Sequence, residues 1–401
     1  MAKKPAFLAV DFFSGAGGTT CGLIEAGGYV IAGIDKDPAC VETYEKNNQN
    51  NYLDKHCARY ILRDIFPASQ DYLEGEQHII FSELTSLIDK YKRQAGSEVP
   101  LLFAICAPCQ PFTTISKKEM SQKRIEKRTK DRNLLQEACK FVKKFKPDII
   151  LAENVAGASK DQFGNVWQSL DKNLRTQGYI TGTKVICTSK FGVPQYRKRS
   201  ILLAIKKTKI TSETAKKYIF KNIILVPEAD PDSKVLSVKE AIGYLPAIKA
   251  GEKHSKIPNH VARHLNDLNL KRISVAKPGE SNSYLEHTIY GDLRLPCQKR
   301  AKQKHKQPCF TDVYTRMAPD RPSPTITTKC YSISNGRFGH YDTSQNRGIS
   351  LREAAILQSF PDSYIFYSNS IGVIARMIGN AAPPKLAKFY AKYLLNMVSS
   401  E

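Results

Sequence analysis

Residues 7–18 read Phe-Leu-Ala-Val-Asp-Phe-Phe-Ser-Gly-Ala-Gly-Gly, and this stretch decides the fold. Residues 7–12 form a largely apolar run of strand length, and an apolar-periodic helix follows the glycines near Thr20. A first strand that leads through a glycine-rich turn into a helix is typical of nucleotide-binding α/β proteins, because glycine lets a ligand approach the backbone closely. Gly-x-Gly alone is weak evidence, since turns that bind nothing share it.

Strands and helices alternate through the first two hundred residues. Further strands are predicted at 29–34, 101–105, 149–152, 184–188 and 201–205, and a helix at 134–145. This alternation predicts an α/β fold with a mostly parallel sheet and helices on both faces. After about residue 206 the chain becomes polar, rich in Pro and Lys and weakly periodic, which indicates a second, less regular module. Helical periodicity returns at 351–357 and 371–395, where residues 379–380 and 383–384 interrupt a long helix.

The chain of 401 residues carries 61 Lys and Arg against 38 Asp and Glu, a net charge of +23. Such an excess indicates a polyanionic partner, most often nucleic acid, although a merely soluble basic protein is the alternative. Two basic runs, 117–132 and 299–306, are predicted to contact phosphates. No apolar segment reaches the roughly 20 residues that span a bilayer. With ten cysteines and no secretory signal at the N-terminus, a reducing, cytoplasmic location is expected.

A candidate nucleophile lies in residues 105–112, Ile-Cys-Ala-Pro-Cys-Gln-Pro-Phe. Cys109 follows a predicted buried strand, and open α/β sheets place their chemistry at the carboxyl ends of strands. A thiolate is the most reactive common side-chain nucleophile near neutral pH. Cys106 and Cys109 also have redox or half-zinc spacing, but no second Cys-x-x-Cys completes a zinc site and no metal is predicted. From these residues alone, a catalytic and a structural thiol are equal alternatives.

Two acidic residues are candidates for binding a nucleoside. Asp35 ends the second predicted strand, about 20 residues after the glycines, where an acid accepts hydrogen bonds from ribose hydroxyls. A solvated acidic turn is the alternative. Asp64 lies at another predicted strand end and is suited to accept a hydrogen bond from an adenine amino group, with an exposed helix cap as its rival.

Six segments, taken together and in order, resemble the motifs of the C5-cytosine-specific DNA methyltransferases. They are Asp-Phe-Phe-Ser-Gly-Ala-Gly-Gly at 11–18, Ala-Pro-Cys-Gln-Pro at 107–111, Glu-Asn-Val at 153–155, Gln-Tyr-Arg-Lys-Arg at 195–199, Arg-Pro-Ser-Pro-Thr-Ile at 321–326, and Gly-Asn-Ala-Ala-Pro-Pro at 379–384. Any one motif would be a weak hypothesis, but six in the same order make coincidence a poor explanation. The sequence departs from the family at Lys36, where members commonly have a hydrophobic residue, and at Asp35, where many have glutamate.

The resemblance implies a Rossmann-like, S-adenosylmethionine-dependent methyltransferase sheet with a smaller, irregular target-recognition domain. The implied domains are a catalytic domain at 1–205, a target-recognition domain at 206–345 and a C-terminal segment at 346–401 that returns to the catalytic domain. The implied cofactor is S-adenosyl-L-methionine. Its binding residues by resemblance are Phe13, Gly15, Gly17, Asp35, Asp64, Ile65, Pro108, Leu135 and Asn380.

The implied catalytic residues are Cys109, Glu153, Arg197 and Arg199. Cys109 would attack cytosine C6, which makes C5 nucleophilic toward the methyl group. Glu153 would donate a proton at N3, for which it needs a raised pKa. Arg199 resembles the arginine that contacts cytosine O2. Arg197 is expected beside it, since residues two apart on a strand share a face.

The implied partner is double-stranded DNA, from which the target cytosine must be extruded. The basic segment 113–132 is expected to be a mobile loop that closes over the DNA. Members of the family usually act as monomers, paired with a restriction endonuclease and with no membrane contact. One alternative is a tRNA cytosine-C5 methyltransferase, although the variable module favours duplex DNA. The other is a catalytically inactive DNA-binding regulator, against which the retained motif residues argue.

Overall fold

A computed structural model describes residues 4–70, 72–108, 133–159, 166–303 and 310–398. The chain divides into two compact units. Unit 1 comprises Met1–Phe191, Lys198–Ser233 and Ala381–Glu401, and unit 2 comprises Gly192–Arg197 and Lys234–Asn380. Three parts of the sequence predictions lie outside the described residues. They are Cys109, the segment 113–132 and residues 304–306 of the basic run 299–306.

Unit 1 is built on a nine-stranded sheet in the order β3-β2-β1-β4-β5-β7-β6-β9-β8. The predicted α/β fold is therefore confirmed. The strands are β1 Phe7–Phe12, β2 Gly28–Asp35, β3 Arg59–Leu62, β4 Leu101–Ile105, β5 Ile149–Val155, β6 Tyr179–Cys187, β7 Lys198–Lys206, β8 Ile219–Phe220 and β9 Ile223–Ile224.

The parallel half of the sheet, from β3 to β5, brings its strand ends to one edge. The last register pairs are Phe12 with Ile34 and Ile105, and Ile105 with Ala152. The other half differs from a uniformly parallel sheet, because β7 runs antiparallel to both β5 and β6. A short connection joins β6 to β7, and short connections permit only antiparallel pairing, whereas parallel strands need a crossover of a dozen residues or more.

The helices of the described chain are numbered in order. Those of unit 1 lie against this sheet, and those of unit 2 form most of its regular structure. They are α1 Gly18–Glu25, α2 Val41–Asn47, α3 Gln77–Ala95, α4 Leu134–Phe145, α5 Val166–Thr176, α6 Ser212–Tyr218, α7 Val238–Ile242, α8 Asp267–Ser274, α9 Pro296–Gln303, α10 Leu351–Leu357, α11 Ile371–Asn380 and α12 Pro384–Leu395. None of these helices has the length and apolar character needed to cross a membrane.

Helices α4 and α12 show how the unit 1 core is closed. On α4, Ala138, Phe141 and Val142 recur at helical spacing and are fully buried. The ring of Phe141 packs 5.2 Å from that of Phe12. Helix α12 packs on α1, where a Cβ on Gly22 would lie 2.2 Å from the Pro384 carbonyl oxygen. Glycine is therefore required at position 22 for this close approach.

Unit 2 has short helices and isolated β-bridges among its described residues. Its packing depends on buried arginines. Arg316 is fully buried and donates to the backbone carbonyls of Ala276 at 3.0 Å and His340 at 2.9 Å. Arg347 forms a two-pronged ion pair with buried Glu353, at 2.8 and 2.7 Å.

The two units divide the chain at other positions than the sequence prediction did. Residues 206–233, predicted to open the target-recognition domain, pack with unit 1 and include α6, β8 and β9. Residues 346–380, predicted to return to the catalytic domain, belong to unit 2 with α10 and α11. The periodicity at 371–395 therefore covers two helices of different units, separated at residues 381–383.

Candidate active site

The turn after β1 is held in an unusual backbone conformation. Phe13 has φ 62°, in the left-handed region that residues with a Cβ rarely adopt. Two hydrogen bonds hold it there, from the Phe13 and Ser14 amides to the Ile34 carbonyl at 2.8 and 3.1 Å. Gly15 and Gly17 follow with φ of 50° and 90°. Backbone strain of this kind concentrates at functional sites.

Asp35, at the end of β2, holds this turn. One carboxylate oxygen, Oδ2, accepts a hydrogen bond from the Gly15 amide at 2.9 Å, and Oδ1 accepts one from the Asp37 amide at 3.0 Å. Burial raises the pKa of Asp35, while the two backbone hydrogen bonds oppose the shift. Each carboxylate oxygen has a second lone pair available to a ligand hydroxyl.

An open cleft lies against the turn. Its walls come from the ends of β1, β2, β3 and β4 and from α4. They consist of Phe13, Ile34, Asp35, Lys36, Arg63, Asp64, Ile65, Pro108 and Leu134. The cleft thus brings together five of the predicted cofactor-binding residues: Phe13, Asp35, Asp64, Ile65 and Pro108. Leu135 lies in the hydrophobic core beside the wall residue Leu134. Asn380 lies at the end of α11 in unit 2.

The sequence prediction missed the two basic residues of this cleft. Lys36 Nζ contacts Asp64 Oδ2 at 3.0 Å, and Arg63 Nε contacts Glu83 at 3.0 Å. Because Lys36 stands where the family commonly has a hydrophobic residue, its departure from the pattern was the available signal. Its pairing with Asp64 fixes a carboxylate that was itself predicted to face adenine.

The cleft fits an adenosine-containing cofactor. Its apolar walls suit a flat base, and its two carboxylates suit ribose hydroxyls and an amino group. Below the turn, Asp11 Oδ1 and Ser14 Oγ are buried and lack a hydrogen-bond partner within the described chain. Burial also raises the pKa of Asp11 to about 7, against a hydrogen bond from Thr20 at 2.7 Å that lowers it.

Glu153 lies at the same edge of the sheet, one residue beyond the last β4–β5 pair. Its carboxylate forms an ion pair with the guanidinium of Arg199 on β7, and both side chains are largely buried. The ion pair joins Arg199 Nε to Glu153 Oε1. Burial raises the pKa of Glu153, and the charge of Arg199 opposes the shift.

Asn154, next to Glu153, was quoted in a motif but not predicted as a site residue. Its Nδ2 donates to the Ala107 carbonyl at 3.2 Å and is buried. It therefore ties the end of β5 to the segment that leads to Cys109, which itself lies outside the described residues. Burial and the nearby carboxyl groups raise the pKa of the Cys106 thiol well above its usual value. Cys106 is thus held as a neutral thiol.

Arg197 differs in placement from the prediction. Strand β7 begins at Lys198, so the expectation that Arg197 and Arg199 share a strand face is wrong. Arg197 belongs to unit 2, where its guanidinium donates to the carbonyls of Ile326 at 3.0 Å and Gly379 at 3.3 Å. Gln195 accepts a hydrogen bond from the Ile326 amide at 3.0 Å. Both motif residues thus bind the backbone of unit 2.

The sheet, the glycine turn and the acid at the end of β2 are typical of α/β proteins that bind a nucleoside-containing cofactor. A comparison with known families identifies the particular one. The profile described as C-5 cytosine-specific DNA methylase matches residues 7–75 and 79–396, so the chain belongs to that family. The protein is a DNA cytosine methyltransferase, and the family and activity predicted from the sequence are confirmed.

Curated relatives and solved structures agree with this assignment. The chain is similar to the Type II methylase M.HgiDII of Herpetosiphon aurantiacus, with 32% identity over 96% of this chain and 93% of the relative. It is also similar to the Type II methyltransferase M1.HphI of Haemophilus parahaemolyticus, with 27% identity over 98% and 87%. A structure described as a prophage-encoded DNA modification methyltransferase (E. coli) matches with a TM-score of 0.65 and 18% identity, covering 98% of this chain and 100% of the other. S. pombe Dnmt2 methyltransferase matches with a TM-score of 0.54 and 17% identity, covering 97% and 98%. These two structures support the fold.

Proposed function

We propose that this DNA cytosine methyltransferase extrudes a cytosine from duplex DNA and adds a methyl group to C5 through a covalent Cys109–C6 adduct. The observation that carries the proposal is the buried Glu153 carboxyl with its raised pKa, paired with Arg199 at the sheet edge that also bears the Asp35 cleft. As in the type II relatives, the product would protect DNA from a cognate restriction endonuclease.

The first chemical step concerns Cys109. Its thiolate would form a bond to C6, and the electron pair of the C5–C6 double bond would shift to make C5 nucleophilic. A base inside a duplex is inaccessible to such an attack, so the cytosine must first leave the stack. The Asn154 hydrogen bond to Ala107 supports a fixed approach for the thiol, because it anchors the chain two residues before Cys109.

Glu153 would act as the general acid for that step. The attack develops negative charge toward N3 and O2, and a protonated carboxyl can donate to N3. Burial raises the pKa of Glu153, which favours the protonated carboxyl that this step requires. Arg199 would bind O2. Its charge also stabilises the Glu153 carboxylate and so limits the rise in the pKa of Glu153. Departure of the C5 proton and release of the thiol would then complete the reaction, with water as the proton acceptor.

S-adenosylmethionine, when bound, supplies the methyl group. Asp35 would hold the ribose hydroxyls, and Asp64 would accept from the adenine amino group. Phe13, Ile65 and Pro108 would pack on the base as walls of the cleft. The catalytic role of Arg197 and the cofactor roles of Leu135 and Asn380 remain predictions.

The decisive experiment is bisulfite sequencing of DNA from cells that express this chain. We expect C5 methylation at a short, symmetric site. Cys109→Ser should abolish it, whereas Cys57→Ser, at an exposed thiol, should not. Glu153→Gln should lower the rate about 10²–10⁴-fold, the usual range for a lost general acid. Persistent methylation by Cys109→Ser would contradict the covalent mechanism, and methylation of tRNA in place of duplex DNA would contradict the proposed substrate.

A further inference from the structure

Residues 288–291 of unit 2 form a tight hairpin turn that is closed by one β-bridge, between Thr288 and Gly291. The Leu293 amide donates to the Leu285 carbonyl at 2.8 Å, and the Gly291 amide donates to the Thr288 carbonyl at 3.0 Å. The Thr288 hydroxyl donates to the Gly291 carbonyl at 2.6 Å and accepts from the Tyr290 amide at 3.1 Å. We call residues 288–291 the hairpin tip. These bonds fix its backbone, since each polar group that turns the chain has a partner.

The apolar side chains of the hairpin tip are exposed, whereas those of its flanks are buried. Leu285 and Leu293 are 0% and 8% exposed, whereas Ile289 is 84% exposed and Tyr290 is 46% exposed. Because Ile289 is exposed, its side chain contributes no burial of apolar surface to the stability of the fold. Exposed apolar residues that cluster on a rigid element mark interaction sites.

Basic residues accompany these apolar side chains. Lys271 of α8 stacks over the Tyr290 ring, with Nζ 5.6 Å from its centroid. Leu268, 45% exposed, precedes Lys271 by one helical turn and so shares its face. Arg272 donates to the Leu293 carbonyl at 3.0 Å and thereby fastens α8 to the hairpin. The result is one surface that combines apolar groups with a cation on a preorganised frame.

We propose that the hairpin tip contacts base edges of the target DNA, with Ile289 making an apolar contact to a thymine methyl group in the major groove and Lys271 binding a phosphate. The inference rests on the proposed function, since it names residues for DNA recognition by this enzyme. The net charge of +23 favours DNA over a protein partner, and DNA offers both a phosphate for Lys271 and a thymine methyl for the apolar contact. A rigid turn also discriminates between bases better than a flexible one.

The test measures which sites the enzyme methylates in a plasmid library with random sequence around cytosines, read by bisulfite sequencing. In the wild type we expect a thymine preference at one or more positions. Ile289→Ala should weaken that preference at one position by about tenfold, the scale of one lost base contact, and leave the other positions unchanged. Lys271→Gln should weaken DNA binding at all sites alike and reduce the salt slope of log K by about 1.

Leu73→Ala is the matched control, since Leu73 is 85% exposed and lies in unit 1. Its site profile should equal that of the wild type. Equal thermal unfolding midpoints would verify that Ile289→Ala folds, and Ile289→Thr provides a second variant of similar shape. An unchanged site profile in both Ile289 variants would overturn the inference, including the case in which they alter only self-association. A wild-type enzyme that methylates no duplex DNA would instead overturn the proposed function.

Discussion

The two units satisfy their backbone hydrogen bonds by different means. In unit 1, strand β1 pairs along its length with β2 on one side and β4 on the other. In unit 2, one side chain replaces the ladder, since Arg316 donates to the carbonyls of Ala276, His340, Asp342, Gln345 and Ile273 at 2.9–3.0 Å. A ladder spreads the cost of any single change over many residues, whereas an arginine centre concentrates it in one.

The same contrast applies to the functional surfaces. The cleft lined by Asp35 lies at the ends of paired strands, so the register of the strands fixes the positions of its wall residues. The hairpin tip of unit 2 is fixed by local turn bonds and by Arg272. Substitutions at the hairpin tip therefore need not disturb a sheet, whereas substitutions in the cofactor cleft act on the ends of paired strands.

The largest effect should follow from Arg316→Met. Each buried acceptor left without a donor costs about 1–3 kcal/mol. This change removes the Arg316 donor from the Ala276 and His340 carbonyls, whereas the other three carbonyls that Arg316 reaches each keep a backbone donor. We expect unit 2 to lose cooperative unfolding while the sheet of unit 1 stays folded, measured by hydrogen exchange resolved along the chain. Arg300→Met, at an exposed arginine of α9, is the control and should leave exchange unchanged. Equal protection of unit 2 in both variants would refute the role of Arg316.

A smaller effect should follow from Asp11→Asn in unit 1. Burial raises the pKa of Asp11 to about 7, so the folded protein keeps a proton that the unfolded chain releases above the usual aspartate pKa of 3.8. This stability is present below pH 4 and is lost as pH rises through about 7. Each pKa unit corresponds to about 1.4 kcal/mol. The wild type should therefore lose several kcal/mol relative to Asp11→Asn between pH 4 and 7.5, measured by urea unfolding; parallel pH curves would contradict the shift.

Asp35→Ala should affect the cofactor cleft alone. It removes the acceptor for the Gly15 amide and for ribose hydroxyls, which we expect to cost about 1–3 kcal/mol of S-adenosylmethionine binding. Asp35→Asn keeps one acceptor oxygen and should lose less. Titration calorimetry measures both affinities. If both variants bind the cofactor as tightly as the wild type, the proposed role of Asp35 in cofactor binding is wrong.

The smallest effect should follow from Lys36→Met. Lys36 is more than half exposed, and exposed ion pairs contribute about 0.2–1 kcal/mol. Cofactor affinity should fall by a few fold at low salt, and this loss should shrink as salt is raised. Lys46→Met, which breaks an exposed pair with Glu42 on α2, should not alter affinity. A salt-independent loss would show that Lys36 acts by something other than its charge.

The sequence predicts unit 1 well because its signals are local. Apolar runs mark β1 and β4, helical spacing marks α4, and the glycines mark the strained turn at Phe13. In the cleft, their positions at predicted strand ends located Asp35 and Asp64. The resemblance named Leu135, the helix neighbour of the wall residue Leu134.

The contacts that hold unit 2 together could not be predicted from the sequence, for a physical reason. The partners of Arg316 are backbone carbonyls far along the chain, and no residue pattern encodes which carbonyl an arginine will reach. Arg197 illustrates the same limit, since a motif position identified it but not its bonds to Ile326 and Gly379. The unit boundaries at 191–198 and 233–234 follow packing rather than composition, and so were not predicted.

The contact between α1 and α12 has a consequence for synthesis on the ribosome. Helix α1 is made at the start, but the helix that covers Gly22 is translated only after all of unit 2. At about 5–20 residues per second, the intervening stretch delays that cover by tens of seconds. Nascent chains that stop before Ala381 would keep an uncovered α1 face. Such chains would expose apolar surface, which is the feature that chaperones recognise.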